Sequence, residues 1–230
     1  MSLKDDLSDK VAEIFRSAWT ERDGKVVPES DDLNLGNDAV LLDGTVLYAD
    51  LNESTNLVDS YKPAFAAEIY KVYLHCAAKI IITEGGVITS YDGDRIMAVY
   101  LGDSKNSDAA RAALKINWAV GNIINPAIKK QYSNETYSVS QVVGIDTSSL
   151  FVARTGIRGS NDLVWVGRAA NYAAKLSGRT GPPSQITEDV YNCLNDKSKF
   201  GMNGNNIWEK TTASELNYHT IYTSTWWWEV

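Results

Sequence analysis

The chain has 230 residues, 44% of them hydrophobic and 22% charged, with a formal net charge of −7. That length can bury a sizeable core, and the acidic balance argues against a surface built for a nucleic acid polymer, which needs clustered Lys and Arg. Cys76 and Cys193 have no metal-ligand spacing, so neither a disulfide framework nor a zinc centre is expected. The opening Met1-Ser-Leu-Lys-Asp-Asp lacks a signal-peptide profile and no apolar run reaches the ~20 residues of a membrane span, which predicts a cytoplasmic protein with no membrane partner.

In chain order, Val11, Ile14, Phe15, Ala18 and Trp19 recur at helical spacing and predict an amphipathic helix over 9–19. The polar stretch 22–37, with Gly, Pro and Asn, predicts an extended connector. Residues 1–39 therefore read as helix plus connector, 40–223 as the main domain and 224–230 as an aromatic tail. Thr45–Thr55 reads as a strand that turns into a helix. Residues 56–83 are helical, with Pro63 marking the start of the main part, and Thr83-Glu-Gly-Gly86 ends the helix as a glycine C-cap. Strands Val87–Tyr91 and Arg95–Leu101 meet at Asp92-Gly93, a strong hairpin signal. A second helix is expected over 105–130, then a strand pair Tyr137–Ile145 and Leu150–Arg154. Helices follow at 167–177 and 187–195, with a last strand near Glu215–Tyr222. This order predicts an α+β sandwich, with helices flanking one sheet. The Trp226-Trp227-Trp228 run is expected to pack on the body or on a dimer partner.

The chemistry concentrates in Thr45-Val-Leu-Tyr-Ala-Asp-Leu-Asn-Glu-Ser-Thr55. Val46, Tyr48 and Asp50 lie at i, i+2, i+4 and share one strand face, with Leu47, Ala49 and Leu51 on the other. A carboxylate at that position needs a partner, and a cation is one candidate. In Asn52-Glu-Ser-Thr55 the Ser and Thr are expected to cap a helix whose free N–H groups, at Asn52, Ser54 and Thr55, suit phosphate. Asp94 opens the strand after the tight turn. If the two strands are neighbours, Asp50 and Asp94 can share two Mg²⁺ or Mn²⁺ ions, hard cations that prefer oxygen, as two-metal phosphoryl chemistry requires. Taken alone, Asp50 could be a helix cap and Tyr48 a core aromatic. Arg95 alternates away from Asp94 on an ideal strand, so a surface ion pair competes with any role in the site.

Tyr48-Ala-Asp50-Leu-Asn-Glu-Ser-Thr55, Tyr91-Asp-Gly-Asp94-Arg-Ile-Met-Ala-Val99, Gly144-Ile-Asp-Thr-Ser148 and Gly167-Arg-Ala-Ala-Asn171-Tyr-Ala-Ala-Lys175-Leu together resemble the ordered motifs of class III nucleotidyl cyclases over residues 42–223. The resemblance implies a mostly antiparallel central sheet with flanking helices, and a homodimer with its sites at the interface. It implies that Asp50, Asp94 and the Leu51 carbonyl hold metal, while Asn171 orients the ribose and Lys175 meets the phosphates from the second chain. Lys175 stands where an arginine is usual. Ser90 and Val164 stand where adenylate cyclases carry adenine-reading polar residues. Tyr48 replaces a common phenylalanine, Arg95 follows the metal aspartate, and the leader 27–38 adds to a likeness to the pyrimidine cyclases of bacterial Pycsar antiphage systems. The expected reaction is conversion of UTP to 3′,5′-cyclic UMP and pyrophosphate, the product acting on a separate effector. A donor-rich pocket leans toward uracil, whose O2 and O4 both accept. Conversion of CTP, adenylate cyclase activity, and a nucleotide-binding module without catalysis are the alternatives.

Overall fold

The computed structural model describes residues 2–230. Its central strand is β2 (Asp38–Leu51), whose alternating apolar residues bury both faces. Along one edge β2 takes β1 (Thr20–Asp23) in parallel and then β4 (Arg95–Tyr100) antiparallel. The other edge pairs antiparallel with β5 (Gln141–Ile157) over thirteen consecutive residues, Ala39 to Leu51. The nine-stranded sheet runs β3-β4-β2-β5-β7-β9-β8, where β3 is Val87–Asp92, β7 Ser184–Thr187, β8 Glu209–Ala213 and β9 His219–Ser224. β6 (Ser160–Val166) folds back on the far end of β5. Of the eight strand pairings six are antiparallel and only β1 with β2 and β5 with β7 are parallel, so the sheet is mostly antiparallel, as the motifs imply.

Each face of the sheet has its own core. Leu47, Ala49 and Leu51 point into the larger one, under α2 (Ser54–Ser60), α3 (Pro63–Thr83), α4 (Lys105–Ala119) and α5 (Asn125–Gln131), with a single π-helical turn at Val120–Ile124 joining the last two. Val46 and Tyr48 point into the smaller one, under α6 (Arg168–Ser177). The face division read from the i, i+2 pattern is therefore the observed one. The helix α6 lies close on the sheet because its inner residues, Ala169, Ala170 and Ala173, are small, and because Gly144 beneath it has no side chain. A Cβ at Gly144 would sit 2.2 Å from the Ala173 carbonyl and 2.5 Å from the Ser177 nitrogen. Backbone atoms cannot yield as a side chain can, so Gly144→Ala is expected to cost about 2–4 kcal/mol. Urea unfolding checks this, and an unchanged midpoint would contradict the close approach.

Several expectations are corrected. The first helix, α1, spans Leu3–Arg16 because Ser2 and Asp5 form a capping box well before residue 9, and Trp19 instead packs edge-on against Phe151. Tyr137–Ile145 and Leu150–Arg154 are not two strands: the polar stretch Asp146–Ser149 continues through β5, and the hairpin turn falls at Arg158-Gly159. The final strand starts at His219, since Asn217 and Tyr218 take left-handed conformations that make a turn after β8. Short α7 (Glu188–Asn192), capped by Thr187, is followed by α8 (Asp196–Lys199). The tail is clamped on α4: Asn117 Nδ2 donates to the Thr225 and Trp226 carbonyls, and the Trp228 N–H to the Leu114 carbonyl. No helix among the described residues is long and apolar enough to cross a membrane.

Candidate active site

The C-terminal end of β2 forms a corner with the β3–β4 hairpin. Residues paired across antiparallel strands share a face. Tyr48 pairs with Met97, which pairs with Ser90, and one step on, Asp50 pairs with Arg95, which pairs with Asp92. Tyr48, Asp50, Arg95, Met97 and Ser90 thus line one face, and Asp94 stands in the turn immediately before Arg95. Of the two aspartates predicted to meet, Asp94 is close enough for its charge to act on Asp50. Burial, then the charge of Asp94, pushes the half-buried Asp50 carboxyl up to about 6 from its ordinary value. Among the described residues neither aspartate forms an ion pair. Arg95, the nearest cation by register, gives its Nη2 to Asp92 at 2.6 Å.

Two partly buried carboxylates, one with its proton affinity raised by burial and by the other's charge and neither held in an ion pair, match the oxygen donor set a hard divalent cation takes. No group of three or more His, Cys, Asp or Glu side chains gathers among the described residues, so these two carboxylates and nearby backbone oxygen are the donors on offer. The Leu51 carbonyl belongs to the same strand end.

Arg95 forms the surface ion pair and also lies on the face of Asp50 and Tyr48. Its ion pair with Asp92 holds the guanidinium over the Tyr48 ring, 5.5 Å from the centroid. Burial raises the pKa of the Tyr48 hydroxyl, Arg95 opposing this only in part, so the phenol is protonated at neutral pH and can both donate and accept.

At the start of α2 the expected Ser and Thr caps are absent. Glu53 occupies the cap in a left-handed conformation, φ 58°, and makes no side-chain cap bond. The chain must reverse sharply from strand to helix there, which moves the cap one residue ahead of Ser54. The Asn52 N–H is spent on the Ser140 carbonyl, so of the predicted anion donors the first-turn residues Ser54 and Thr55 keep theirs available. Buried Leu57 anchors this turn to the core.

Asn171 and Lys175 lie on the exposed face of α6, one turn apart. Asn171 Nδ2 donates to the Gly167 carbonyl at 3.3 Å and Lys175 Nζ to the Glu215 carbonyl at 3.4 Å. The structure brings neither into a bond with Asp50 or Asp94, and both are open to a neighbouring molecule. Val164, on β6, is also exposed.

Two features escaped the sequence. Tyr73 falls within the helix expected over 56–83, yet its fully buried hydroxyl has no hydrogen-bond partner, and the charges of Asp50 and Asp94 add to burial in raising its pKa. A tyrosine at a core position always carries a hydroxyl that needs a partner, and that was the available signal. The second is the setting of Asp146, which stands in the motif Gly144–Ser148 with no role assigned and is completely buried, bound by Arg168 and Thr187. A hollow of about 810 Å³ lies away from this corner, against Phe200, Met202 and the Trp tail, and holds no pair of facing aspartates.

Comparison with known proteins bears on the family and the fold. No family model matches the chain. It is 54% identical to a uridylate cyclase of Xanthomonas perforans and 52% identical to one of Burkholderia cepacia, in both cases over 100% of each chain. Among solved structures it is similar to the adenylyl cyclase CyaB from P. aeruginosa, with a TM-score of 0.64 at 19% identity, covering 81% of this chain and 95% of that one. The fold is that of the class III cyclases, and by its full-length relatives the chain belongs to the uridylate cyclase family.

Proposed function

We propose that the protein is a metal-dependent uridylate cyclase that converts UTP to 3′,5′-cyclic UMP and pyrophosphate. The observation that carries this reading is the shared face of β2 and β4, where Asp50, on which the charge of Asp94 acts and which forms no ion pair, adjoins Tyr48 with Arg95 over its ring. The full-length likeness to proteins named uridylate cyclase supports the choice of base. Asp50, Asp94 and the Leu51 carbonyl hold two divalent cations, Mn²⁺ or Mg²⁺. When bound, these lower the pKa of the ribose 3′-hydroxyl and offset charge on the departing pyrophosphate. The free N–H groups of Ser54 and Thr55 take phosphate oxygens. Tyr48 narrows the pocket against purines, and Arg95, its planar fork oriented by Asp92, donates to a uracil carbonyl. From the second chain of a homodimer, Asn171 holds the ribose and Lys175 the phosphates. Exposure of both residues in the single chain supports that arrangement.

Cyclic UMP then serves as a second messenger in antiphage defence, read by a separate effector in the cytoplasm. Incubation with each of the four nucleoside triphosphates and Mn²⁺, followed by mass spectrometry, is expected to yield cyclic monophosphate from UTP foremost. Product from ATP or GTP alone would refute the pyrimidine reading, and foremost from CTP would correct the base.

A further inference from the structure

The Asp146 carboxylate lies at the middle of β5, completely buried, opposite Val46 of β2. Arg168, the first residue of α6, grips it with both arms of its fork, Nε to Oδ2 at 3.0 Å and Nη2 to Oδ1 at 3.2 Å. Thr187 Oγ1 donates to Oδ1 at 2.5 Å. Arg168 Nη2 also reaches the Thr147 carbonyl at 2.8 Å and Asp189 Oδ2 at 2.5 Å. Four elements, β5, β7, α6 and α7, therefore meet at this one ion pair, β7 through the carboxylate and α7 through the guanidinium. Beside it the Ala169 N–H donates to Ser148 Oγ at 3.0 Å, serving the helix start where Gly167 can offer no side-chain cap.

A buried ion pair contributes little to stability over an apolar pair of the same size, because desolvation offsets the attraction. What its two-pronged geometry supplies is orientation. The helix α6 needs this more than most. Its inner face of Ala169, Ala170 and Ala173 has shallow ridges, which fix position along the sheet weakly, and Gly144 admits the helix closely without keying it. We propose that Asp146 and Arg168 are positioning residues for the cyclase reaction: the pair fixes where α6 sits and so where Asn171 and Lys175, on its outer face, are presented. This rests on the reading that α6 supplies those two residues to the partner's site.

The test uses the full chain with Asp146→Asn, which keeps the shape, and Arg168→Lys, which keeps the charge but loses the fork. Both are expected to lower kcat for UTP by about 10- to 100-fold, the scale of a small misplacement of catalytic groups, with KM changed less than about threefold because the metal and base contacts lie on other elements. Each variant is then co-expressed with an inactive Asp50→Ala chain, and Asn171→Ala with the same chain serves as reference. A mixed dimer places both defects in one site and leaves the other intact, so activity is expected to return to about a quarter of wild type for random pairing in a twofold dimer. Return with Asn171→Ala but not with the Asp146 and Arg168 variants would show a defect beyond α6's contribution and overturn the proposal. So would a wild-type kcat in either variant. No return with Asn171→Ala would overturn the cross-chain reading itself, and the positioning role with it.

Discussion

Replacing Asp50 by asparagine is expected to lower cyclase turnover by about 10³-fold or more, the scale of losing a preorganised electrostatic contact at the reacting centre, and at the same time to raise the stability of the metal-free protein near neutral pH. The two effects share a cause. The Asp50 carboxyl is pushed up to about 6 by burial and by the facing Asp94, above the value it has in the unfolded chain. A carboxyl with a raised pKa in the folded state binds its proton more tightly there than in the unfolded chain. Folding is therefore favoured by the protonated form, and stability declines as pH rises from about 4 through about 6. Because the group is part exposed, solvent screening leaves about 1 kcal/mol of that cost, or about 2–4 °C in Tm for a chain of this size. Asparagine cannot ionise, so its Tm in EDTA should lack this decline. Addition of Mn²⁺ should raise the wild-type Tm at about pH 8 more than at about pH 5, where protons compete for the same oxygens, and should raise the variant's little. Scanning calorimetry in EDTA and in Mn²⁺ reads all four conditions. Undiminished turnover in the variant would sink the metal role, and an identical pH slope in both proteins would sink the electrostatic account.

The parts of this molecule legible in its sequence are those whose local pattern and tertiary surroundings agree. The stretch Val46–Leu51 alternates cleanly, and the two faces it predicts are the two cores observed. Asp92-Gly93 forms the turn its residue types require, with Gly93 at φ 64°. Where the two levels conflict, the sequence misleads. Asp146-Thr-Ser-Ser149 has the composition of a turn, yet it runs as strand because tertiary partners satisfy its inward polar groups: Arg168 answers Asp146, and Thr147 Oγ1 bonds Thr45 and the Gly44 carbonyl. Strand β7, Ser184-Gln-Ile-Thr187, is polar and short but fully buried, because its place is set by pairing with β5 and β9 and not by an apolar pattern. At the site, the carboxylates were legible because a charge at the end of an apolar strand is conspicuous. The Ser54 and Thr55 caps were misjudged because a left-handed residue shifts the helix start, and no side-chain pattern announces a left-handed glutamate.

Arg95→Ala is expected to lower kcat/KM for UTP by about 10²-fold while leaving any turnover of ATP and GTP unchanged or slightly higher. Register places Arg95 on the face of Asp50 and Tyr48, and its ion pair with Asp92 and its position 5.5 Å over the Tyr48 ring fix the fork before substrate arrives. An arginine held on both sides loses little freedom on binding, so a hydrogen bond from its remaining N–H groups to a base carbonyl is made nearly without ordering cost. A site built to donate to a particular acceptor discriminates more strongly than one that only excludes bulk, and losing one bond from a charged donor costs about 1.5–3 kcal/mol. Tyr48→Phe, by contrast, keeps the ring under the guanidinium and removes only the hydroxyl. It should lower UTP turnover less, about 10-fold, and ease entry of purines by giving back the volume of one oxygen. The pair of variants separates hydrogen-bond readout from size exclusion through kcat/KM measured for all four triphosphates. Equal losses for UTP and ATP in Arg95→Ala would place Arg95 on the phosphates or in the fold of the hairpin, and would leave Tyr48 to select the base alone.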